Sequence, residues 1–335
     1  MDGALQSIHP FLTEADLSLV LYTDLRVVIS MADEVPSIVL NDGNKIPGIA
    51  LGTGRGTADG VSEIRDAVFW AIEAGYRHID TAAVYKDEPE VGQGIADAIA
   101  KGLVTREQLF VTTKLWNDRH AQEQVVPALK ESLQRLGLDY VDLYLVHFPV
   151  SIKSDNSADD IDYLETWKGM EEAKELGLAK SIGVSNFNAS QLDRLVANCK
   201  VKPAVNQIEV NPTLTQESLV VHCQKLGVAV MAYSPFGFLV ARKSENSPPP
   251  RVDDPILVQI ADKYKKTTPQ IVLRYLVDRG LIPIPKSTNK ERIAKNIDIF
   301  DFKLTEEEKA TISRFNKDVR VISIPRWQNY PNYPF

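Results

Sequence analysis

The stretch GYRHIDTAAVY, residues 75–85, predicts a short buried strand that ends in polar side chains. An ionised carboxylate such as Asp80 is costly to bury at a strand end unless it has a partner. Two later apolar segments end in candidate partners, LFVTTK at Lys114 and VDLYLVH at His147. Three successive predicted strands therefore end in Asp80 with Tyr85, in Lys114 and in His147. The rest of the chain is interpreted as the scaffold that brings these ends together.

Composition limits the class of protein. The 335 residues are 44% hydrophobic, which suits one sizeable core or two small domains. The net charge of -7 argues against a nucleic-acid or anionic-membrane surface, and no apolar run approaches the ~18 residues of a membrane span. Cys199 and Cys223 lie outside any CxxC or His-rich motif, which predicts a reduced protein without a metal site. A single disulfide between them is the alternative. We predict a cytoplasmic monomer.

The first 30 residues differ from the rest of the chain. Residues 17–21 are an apolar run flanked by acids, without the basic segment or cleavage site of a signal peptide. Met31 resembles an ordinary start. We therefore predict that residues 1–30 are a dispensable extension and that residues 36–335 form a single domain.

The domain begins with a hairpin signal, because residues 37–49 alternate around the turn sequence NDGN at 41–44. The next motif, GTGRG at residues 52–56, is a weak Rossmann signal. Its spacing is not GxGxxG, and loop residues separate it from the helix expected near Val61.

Strands and helices then alternate. The predicted strands are short Val-, Ile- and Leu-rich runs at 49–52, 78–82, 109–114, 141–147, 179–184, 204–210, 228–233 and 281–285. The predicted helices are at 61–74, 89–101, 121–136, 160–176, 188–198, 215–226, 255–279 with a break near Thr267, 289–297 and 305–315. Eight such units over about 250 residues predict a (β/α)8 barrel, with an open doubly wound sheet as the alternative. The one long interruption is the loop at 237–254, and loops of that length are usually functional.

The carboxyl ends of barrel strands converge on one face, where catalytic groups lie. Taken singly, a buried Asp80–Lys114 pair could be structural, His147 a core histidine and Tyr85 a packed tyrosine. Their positions at the ends of neighbouring strands two, three and four favour a shared function.

Together these four side chains can make a proton donor. A tyrosine has a pKa of about 10, and a nearby ammonium favours the phenolate and lowers that pKa. A carboxylate would keep the ammonium charged, and an imidazole can orient a substrate oxygen. The set suits proton delivery to a carbonyl oxygen. It lacks the nucleophile–base pair of a hydrolase and the carboxylates of a glycosidase.

Later strand ends predict a cofactor site. Ser185, Asn186 and Gln207 can hydrogen-bond a carboxamide, and Tyr233 offers a flat face for a nicotinamide ring. The alternative for Gln207 is a buried polar side chain satisfied by its neighbours.

An anion site is predicted after strand eight, at a helix N-terminus, where barrels commonly bind phosphate. A solvated helix cap is the alternative. The residues of this segment are Lys286, Ser287, Thr288, Asn289, Arg292 and Asn296.

With these motifs the sequence resembles the aldo-keto reductase family over nearly all of residues 36–335. The matching motifs are residues 75–85, KLW at 114–116, LVH at 145–147, GVSNF at 183–187, NQIE at 206–209, YSP at 233–235 and the run from 284 to 296. The resemblance implies a (β/α)8 barrel that reduces carbonyl compounds with NADPH.

The resemblance also implies residue roles. Tyr85 would be the general acid, Lys114 and Asp80 its tuning pair, and His147 the substrate orienter. The implied contacts to the adenosine 2′-phosphate are Lys286, Ser287 and Arg292. The cofactor contacts as a whole are Gly52, Thr53, Ser185, Asn186, Gln207, Tyr233, Ser234, Pro235, Lys286, Ser287, Thr288, Arg292 and Asn296.

The sequence departs from the family pattern around the substrate and the cofactor clasp. Gly54 stands where an aromatic residue is common, Phe148 where a tryptophan is common, and Lys295 where several members have an acid. The run FGFL at 236–239 lacks the clasping acid, for which Asp253 or Asp254 is a candidate.

The FGF run and the proline-rich loop resemble insect members, some of which reduce steroid ketones such as 3-dehydroecdysone. We predict an apolar substrate pocket formed by Trp116, Phe148, Phe236 and Trp327, with the tail from Asn316 lying across its mouth.

Two other functions remain open from the sequence. One is a barrel lyase that forms a Schiff base on Lys114 and holds a phosphate near Lys286. The other is a non-catalytic binding subunit that retains the cofactor site.

Overall fold

The computed structural model describes residues 35–54, 61–240 and 247–335. The predicted extension at 1–30 and part of the loop at 237–254 lie outside these residues.

Eight parallel strands form a closed barrel. The ten strands of the described chain are β1 Ser37–Val39, β2 Lys45–Pro47, β3 Leu51–Gly52, β4 His78–Asp80, β5 Phe110–Leu115, β6 Val141–Val146, β7 Ala179–Ser185, β8 Val205–Glu209, β9 Ala229–Tyr233 and β10 Ile282–Pro283. Strands β3 to β10 are hydrogen-bonded in sequence order, each parallel to the next. The predicted parallel sheet is confirmed.

The first and last strands of the sheet also meet, which closes the barrel. Gly52 pairs in parallel with Lys286, and the amides of Ala50 and Gly52 donate to Pro283 O and Pro285 O at 3.1 and 3.0 Å. A Cβ at Gly52 would lie 2.9 Å from Ile284 Cγ2, so glycine is required for this close approach. The alternative of an open doubly wound sheet is therefore wrong.

Helices surround the barrel at nearly the predicted positions. They are α1 Val61–Glu73, α2 Glu88–Ala100, α3 Gln122–Leu136, α4 Tyr163–Glu175, α5 Ala189–Asn198, α6 Glu217–Lys225, α7 Pro255–Tyr264, α8 Thr268–Asp278, α9 Lys290–Ile297 and α10 Glu306–Ser313. The break near Thr267 is confirmed, and Thr267 forms a capping box with Gln270 at the start of α8.

The barrel wall explains the apolar strand sequences. Every residue of β5 and β6 is buried, because helices cover one face of each strand and the barrel interior the other. The predicted hairpin, β1 with β2, pairs antiparallel and packs Leu40 and Ile46 against interior side chains such as Leu143. Asn41 Nδ2 also donates to Pro203 O at 2.8 Å. The hairpin therefore closes the amino-terminal end and leaves the carboxyl-terminal face for the site.

Cys199 and Cys223 are both free thiols, so the alternative of a disulfide is wrong. Within the described ranges, no helix is long and apolar enough to cross a membrane, and no group of His, Cys, Asp or Glu side chains could hold a metal ion.

Candidate active site

The barrel brings the four predicted catalytic side chains together at the carboxyl ends of β4, β5 and β6. Asp80 ends β4, and a short 3-10 helix, Ala83–Tyr85, comes after it. Lys114 lies in β5, and its partner in the neighbouring strand is Leu145. His147 directly follows β6. Adjacent parallel strands in register place these three ends side by side.

An ion pair lies at the base of the site. Lys114 Nζ donates to Asp80 Oδ1 at 2.6 Å and to Thr81 O at 2.8 Å. The Lys114 side chain is fully buried and that of Asp80 is 4% exposed. Gln207 Nε2 donates to the second carboxylate oxygen, Oδ2, at 2.7 Å. Asp80 is therefore satisfied on both oxygens, and its charge is directed at Lys114.

Tyr85 and His147 lie above this pair. Lys114 Nζ is 5.2 Å from the centroid of the Tyr85 ring, and the Tyr85 and His147 rings are 5.7 Å apart at their centroids. Trp116 contacts His147 edge-on at 5.1 Å, and Phe148 stacks on it at 5.5 Å. The phenol and the imidazole thus face one small region bounded by aromatic rings.

The electrostatics of Tyr85 differ from the sequence prediction. Tyr85 is partly exposed to the cavity, yet the surrounding protein excludes enough water that burial raises the pKa of the phenol. The charge of Lys114 acts in the predicted, lowering direction, but it does not outweigh burial. The prediction of a lowered pKa is therefore wrong in its net direction, because burial destabilises the phenolate more than the Lys114 ammonium stabilises it.

Lys114 and His147 have fixed charge states at neutral pH. Burial opposes the charge on Lys114, but Asp80 and Tyr85 outweigh it and raise the pKa of the ammonium. Burial, helped by the nearby Lys114 charge, holds the pKa of His147 well below its usual value. Lys114 is therefore protonated and His147 neutral. A protonated, fully buried lysine is a poor Schiff-base nucleophile.

Three of the four predicted catalytic side chains, Asp80, Tyr85 and His147, line one cavity of about 560 Å³, a volume typical of small-molecule sites. Lys286, which follows β10, lines the same cavity. Much of the remaining wall is apolar, formed by Val84, Trp116, Phe148, Phe236, Val240, Ile284, Ile322 and Ile324.

The predicted carboxamide and ring contacts form one hydrogen-bonded group in the same cavity. Tyr233 Oη donates to Asn186 Oδ1 at 2.7 Å, while Asn186 Nδ2 donates to His147 O at 2.9 Å. Ser185 Oγ donates to Gln207 O at 2.8 Å. Asn186 has a left-handed backbone (φ 63°) at the end of β7, a conformation that asparagine tolerates well. The network fixes the Tyr233 ring at the cavity wall, where Ser234 and Pro235 continue it.

The predicted anion site lies at the start of α9. Asn289 caps this helix by accepting the Arg292 amide at 2.9 Å, and Arg292 Nε lies 3.4 Å from Ser287 Oγ. Lys286 and Arg292 are exposed cations, whereas Ser287 and Asn296 are buried. A helix N-terminus with two cations and a hydroxyl suits a phosphate. The residues of the cavity and of this helix start therefore fit a nicotinamide dinucleotide phosphate. Its nicotinamide ring would lie near Tyr233, and one phosphate would lie near Lys286.

A model of the Aldo/keto reductase family matches residues 49–317. The chain belongs to this family. It is 69% identical over 307 residues to Aldo-keto reductase AKR2E4 of Bombyx mori, covering 91% of this chain and 100% of that protein. It is 41% identical to Aldo-keto reductase family 1 member A1 of Gallus gallus, covering 89% and 97% of the two chains. The family assignment confirms the predicted resemblance, and it excludes the lyase alternative.

A solved structure of a relative supports the same assignment. The crystal structure of Bombyx mori AKR2E4 in complex with NADP superposes with a TM-score of 0.89 at 69% identity, covering 90% of this chain and 99% of that one. A second, AKR2E5 complexed with NADPH, gives a TM-score of 0.88 at 48% identity, with 90% and 94% covered.

Trp327 and Thr53, two of the residues predicted for the site of this aldo/keto reductase, are buried beside the cavity and do not form its wall. Trp327 is fully buried and is not part of the cavity wall. It packs behind the wall, 5.3 Å from the Phe148 ring and 5.9 Å from the Trp116 ring, because burying the large apolar surface of an indole stabilises the fold. Thr53 is also buried, and its hydroxyl lies 3.3 Å from Asp80 O, to which it donates. Gly52 does line the cavity.

The sequence prediction missed several wall residues of the reductase. Ile322 and Ile324 line the cavity from the tail, and their period-2 spacing in VISIP could have indicated a shared face. Gly54 also lines it, and a Cβ there would lie 3.1 Å from Tyr85 Cζ. The contact between Gln207 and Asp80 joins strands β8 and β4 across the barrel, and no local sequence signal indicates such a contact.

Proposed function

We propose that the chain reduces aldehydes and ketones to alcohols with NADP(H), and that its substrate is a hydrophobic carbonyl compound. One observation carries the proposal. A phenol, a buried ammonium and a neutral imidazole lie together at one end of an apolar cavity. This combination suits donation of a proton to an oxygen that gains negative charge.

When bound, the cofactor would supply a hydride for the carbonyl carbon. Asn186, Gln207 and Tyr233, which line the cavity, would hold its nicotinamide end, and Ser185 would support them through its hydrogen bond to the Gln207 backbone. Lys286, Ser287 and Arg292 would hold the adenosine 2′-phosphate at the start of α9, with Thr288 and Asn296 beside them. NADPH binds more tightly than NADH in this proposal, because only NADPH carries the 2′-phosphate that these cations can bind.

Tyr85 donates its phenolic proton to the carbonyl oxygen. Lys114 stabilises the phenolate that remains. Asp80, whose Oδ1 lies 2.6 Å from Lys114 Nζ, keeps Lys114 charged. His147, neutral in this environment, donates a hydrogen bond that orients the same oxygen. Burial raises the pKa of the phenol, so Tyr85 is protonated before the reaction, and the Lys114 charge acts in the opposite direction by stabilising the phenolate that forms as the proton leaves.

The substrate is a bulky apolar ketone, of which a steroid ketone such as 3-dehydroecdysone is an example. Aromatic and aliphatic side chains form most of the wall around Trp116, Phe148 and Phe236. Gly54, beside Tyr85, contributes no side chain and so leaves room next to the proton donor. An apolar wall with a few convergent polar groups is the usual design of a site for such molecules.

The test is NADPH consumption by the purified chain with small aldehydes, quinones and steroid ketones, alongside cofactor binding measured by fluorescence. We expect turnover with all three classes and the lowest KM for the bulky ketones. Cofactor binding without turnover of any carbonyl would overturn the proposal and favour a non-catalytic cofactor-binding protein. Turnover restricted to small polar aldehydes would overturn the substrate class.

A further inference from the structure

Glu209, the last residue of β8, is a fully buried acid that the proposed chemistry does not use. Its carboxylate accepts two backbone amides of the C-terminal tail, from Val321 at 2.7 Å (Oε1) and from Ile322 at 2.9 Å (Oε2). Asn211 Nδ2 also donates to Oε1, at 3.1 Å. Both carboxylate oxygens are therefore occupied, mostly by the tail.

The tail segment held by Glu209 forms part of the cavity wall. Ile322 and Ile324 both line the cavity, whereas Glu209 does not. Before this segment, the amides of Lys317 and Val319 donate to Thr213 O. These contacts bring the chain over the barrel but end before the wall segment begins.

After the wall segment, the tail is held again. Trp327 is buried against Phe148, and Gln191 Nε2 donates to Asn332 O at 2.8 Å. Ile322 and Ile324 thus line the cavity between two attachments of the tail. The two hydrogen bonds to Glu209 tie the start of this wall segment to the barrel.

We propose that Glu209 is a positioning residue for substrate selectivity: by holding the backbone of residues 321–322, it fixes Ile322 and Ile324 as the apolar wall that large substrates contact. The inference rests on the proposed function. A small aldehyde reaches Tyr85 and His147 without needing this wall, whereas a bulky ketone is in contact with it.

The chemistry requires a carboxylate at this position. The two tail amides are donors, and a carboxylate offers an acceptor oxygen to each. In Glu209→Gln, one of those oxygens becomes an NH2 group that faces a backbone N–H. The side-chain shape is kept, but one of the two hydrogen bonds to the tail is lost.

The decisive experiment compares wild type with Glu209→Gln and with Glu171→Gln as matched control. Glu171, in α4, also accepts two backbone amides, from Lys200 at 2.7 Å and from Val201 at 2.8 Å, but neither belongs to the tail. We expect Glu209→Gln to raise KM for a bulky steroid ketone about tenfold or more, the fold-change that corresponds to the loss of one hydrogen bond to a charged group. kcat and KM for a small aldehyde should stay at the wild-type values, and the control should match wild type throughout.

Amide hydrogen exchange of the C-terminal peptide gives a second readout that does not depend on catalysis. Residues 321–322 should exchange slowly in wild type and in the control, and faster in Glu209→Gln. Unchanged exchange, or an equal loss of kcat/KM for both substrates, would overturn the proposal. If wild type reduces no carbonyl, the proposed function fails while the exchange result still tests the attachment.

A second variant covers the case in which Glu209→Gln does not fold. Val321→Pro removes one donor, the Val321 N–H, and leaves Glu209 in place. It should produce the same ketone-selective rise in KM. Wild-type KM for both substrates in this variant would contradict the inference.

Discussion

Replacing Asp80 with Asn should destabilise the protein strongly, because it leaves the Lys114 ammonium buried without a counter-ion. Removing one partner of a buried pair costs roughly 3–5 kcal/mol. Asn keeps one oxygen that can accept from Lys114, and Thr81 O remains at 2.8 Å. The amide nitrogen, however, would face Gln207 Nε2, which now donates to Asp80 at 2.7 Å. We therefore expect a loss of about 3 kcal/mol in the free energy of unfolding.

The assay is urea unfolding at pH 7, with Asp97→Asn as control. The Arg65–Asp97 pair has the same 2.6 Å length, but its side chains are 50% and 30% exposed. Screening by water makes such a surface pair nearly neutral for stability, so the control should unfold like wild type. Equal losses in both variants would refute the argument, because burial would then not decide the strength of the pair.

The stability deficit of Asp80→Asn should narrow as the pH rises. In wild type the pKa of Lys114 is raised, so the stability that the pair contributes is fully present below the ordinary lysine pKa of about 10.4 and is lost as the pH rises from there through the higher folded-state pKa. In the variant, Asp80 no longer balances the effect of burial, which is the largest single influence, and we expect the folded-state pKa of Lys114 to fall below its ordinary value. The unfolded state then binds more protons, and the free energy of unfolding rises with pH. A deficit that stays constant between about pH 7 and pH 10 would contradict this account.

Three further variants test the cofactor site, the tail and the extension. Arg292→Ala should narrow the preference for NADPH over NADH by roughly 1.5–3 kcal/mol, the value of a hydrogen bond to a charged group; equal dissociation constants for both cofactors in wild type would rule out the phosphate contact. Removing residues 322–335 should raise KM for bulky ketones far more than for a small aldehyde, with folding confirmed by circular dichroism. An equal loss for both substrates would mean that the tail supports the fold or the cofactor. Deleting residues 1–30 should leave the melting temperature and the turnover unchanged, and a clear fall in either would show that the extension packs on the barrel.

The barrel could be predicted from sequence because its signals are local. Apolar runs of strand length recur between helical patterns, and each boundary falls within a few residues of the structure. The alternation of strands and helices also predicts the convergence of Asp80, Lys114 and His147, since parallel strands in register must end on one face. Closure of the sheet required the structure, because the pairing of Gly52 with Lys286 joins residues far apart in the chain.

The errors and omissions concern long-range contacts and burial. The net direction of the Tyr85 pKa depends on how far the finished cavity excludes water, which no single segment encodes. Trp327 was assigned to the pocket by residue type, but its indole packs behind Phe148. The tail, more than a hundred residues later in the chain, donates two backbone amides to Glu209, and no local pattern predicts that contact.

The most direct test of the central claim is carbonyl reduction by Tyr85→Phe, with NADPH affinity measured on the same protein. The substitution removes the phenolic hydroxyl and keeps the ring beside Lys114 and His147. We expect kcat to fall about 10²–10⁴-fold, the usual contribution of a general acid, with the dissociation constant for NADPH unchanged. Turnover within a few-fold of wild type would contradict the assignment of Tyr85 as the proton donor.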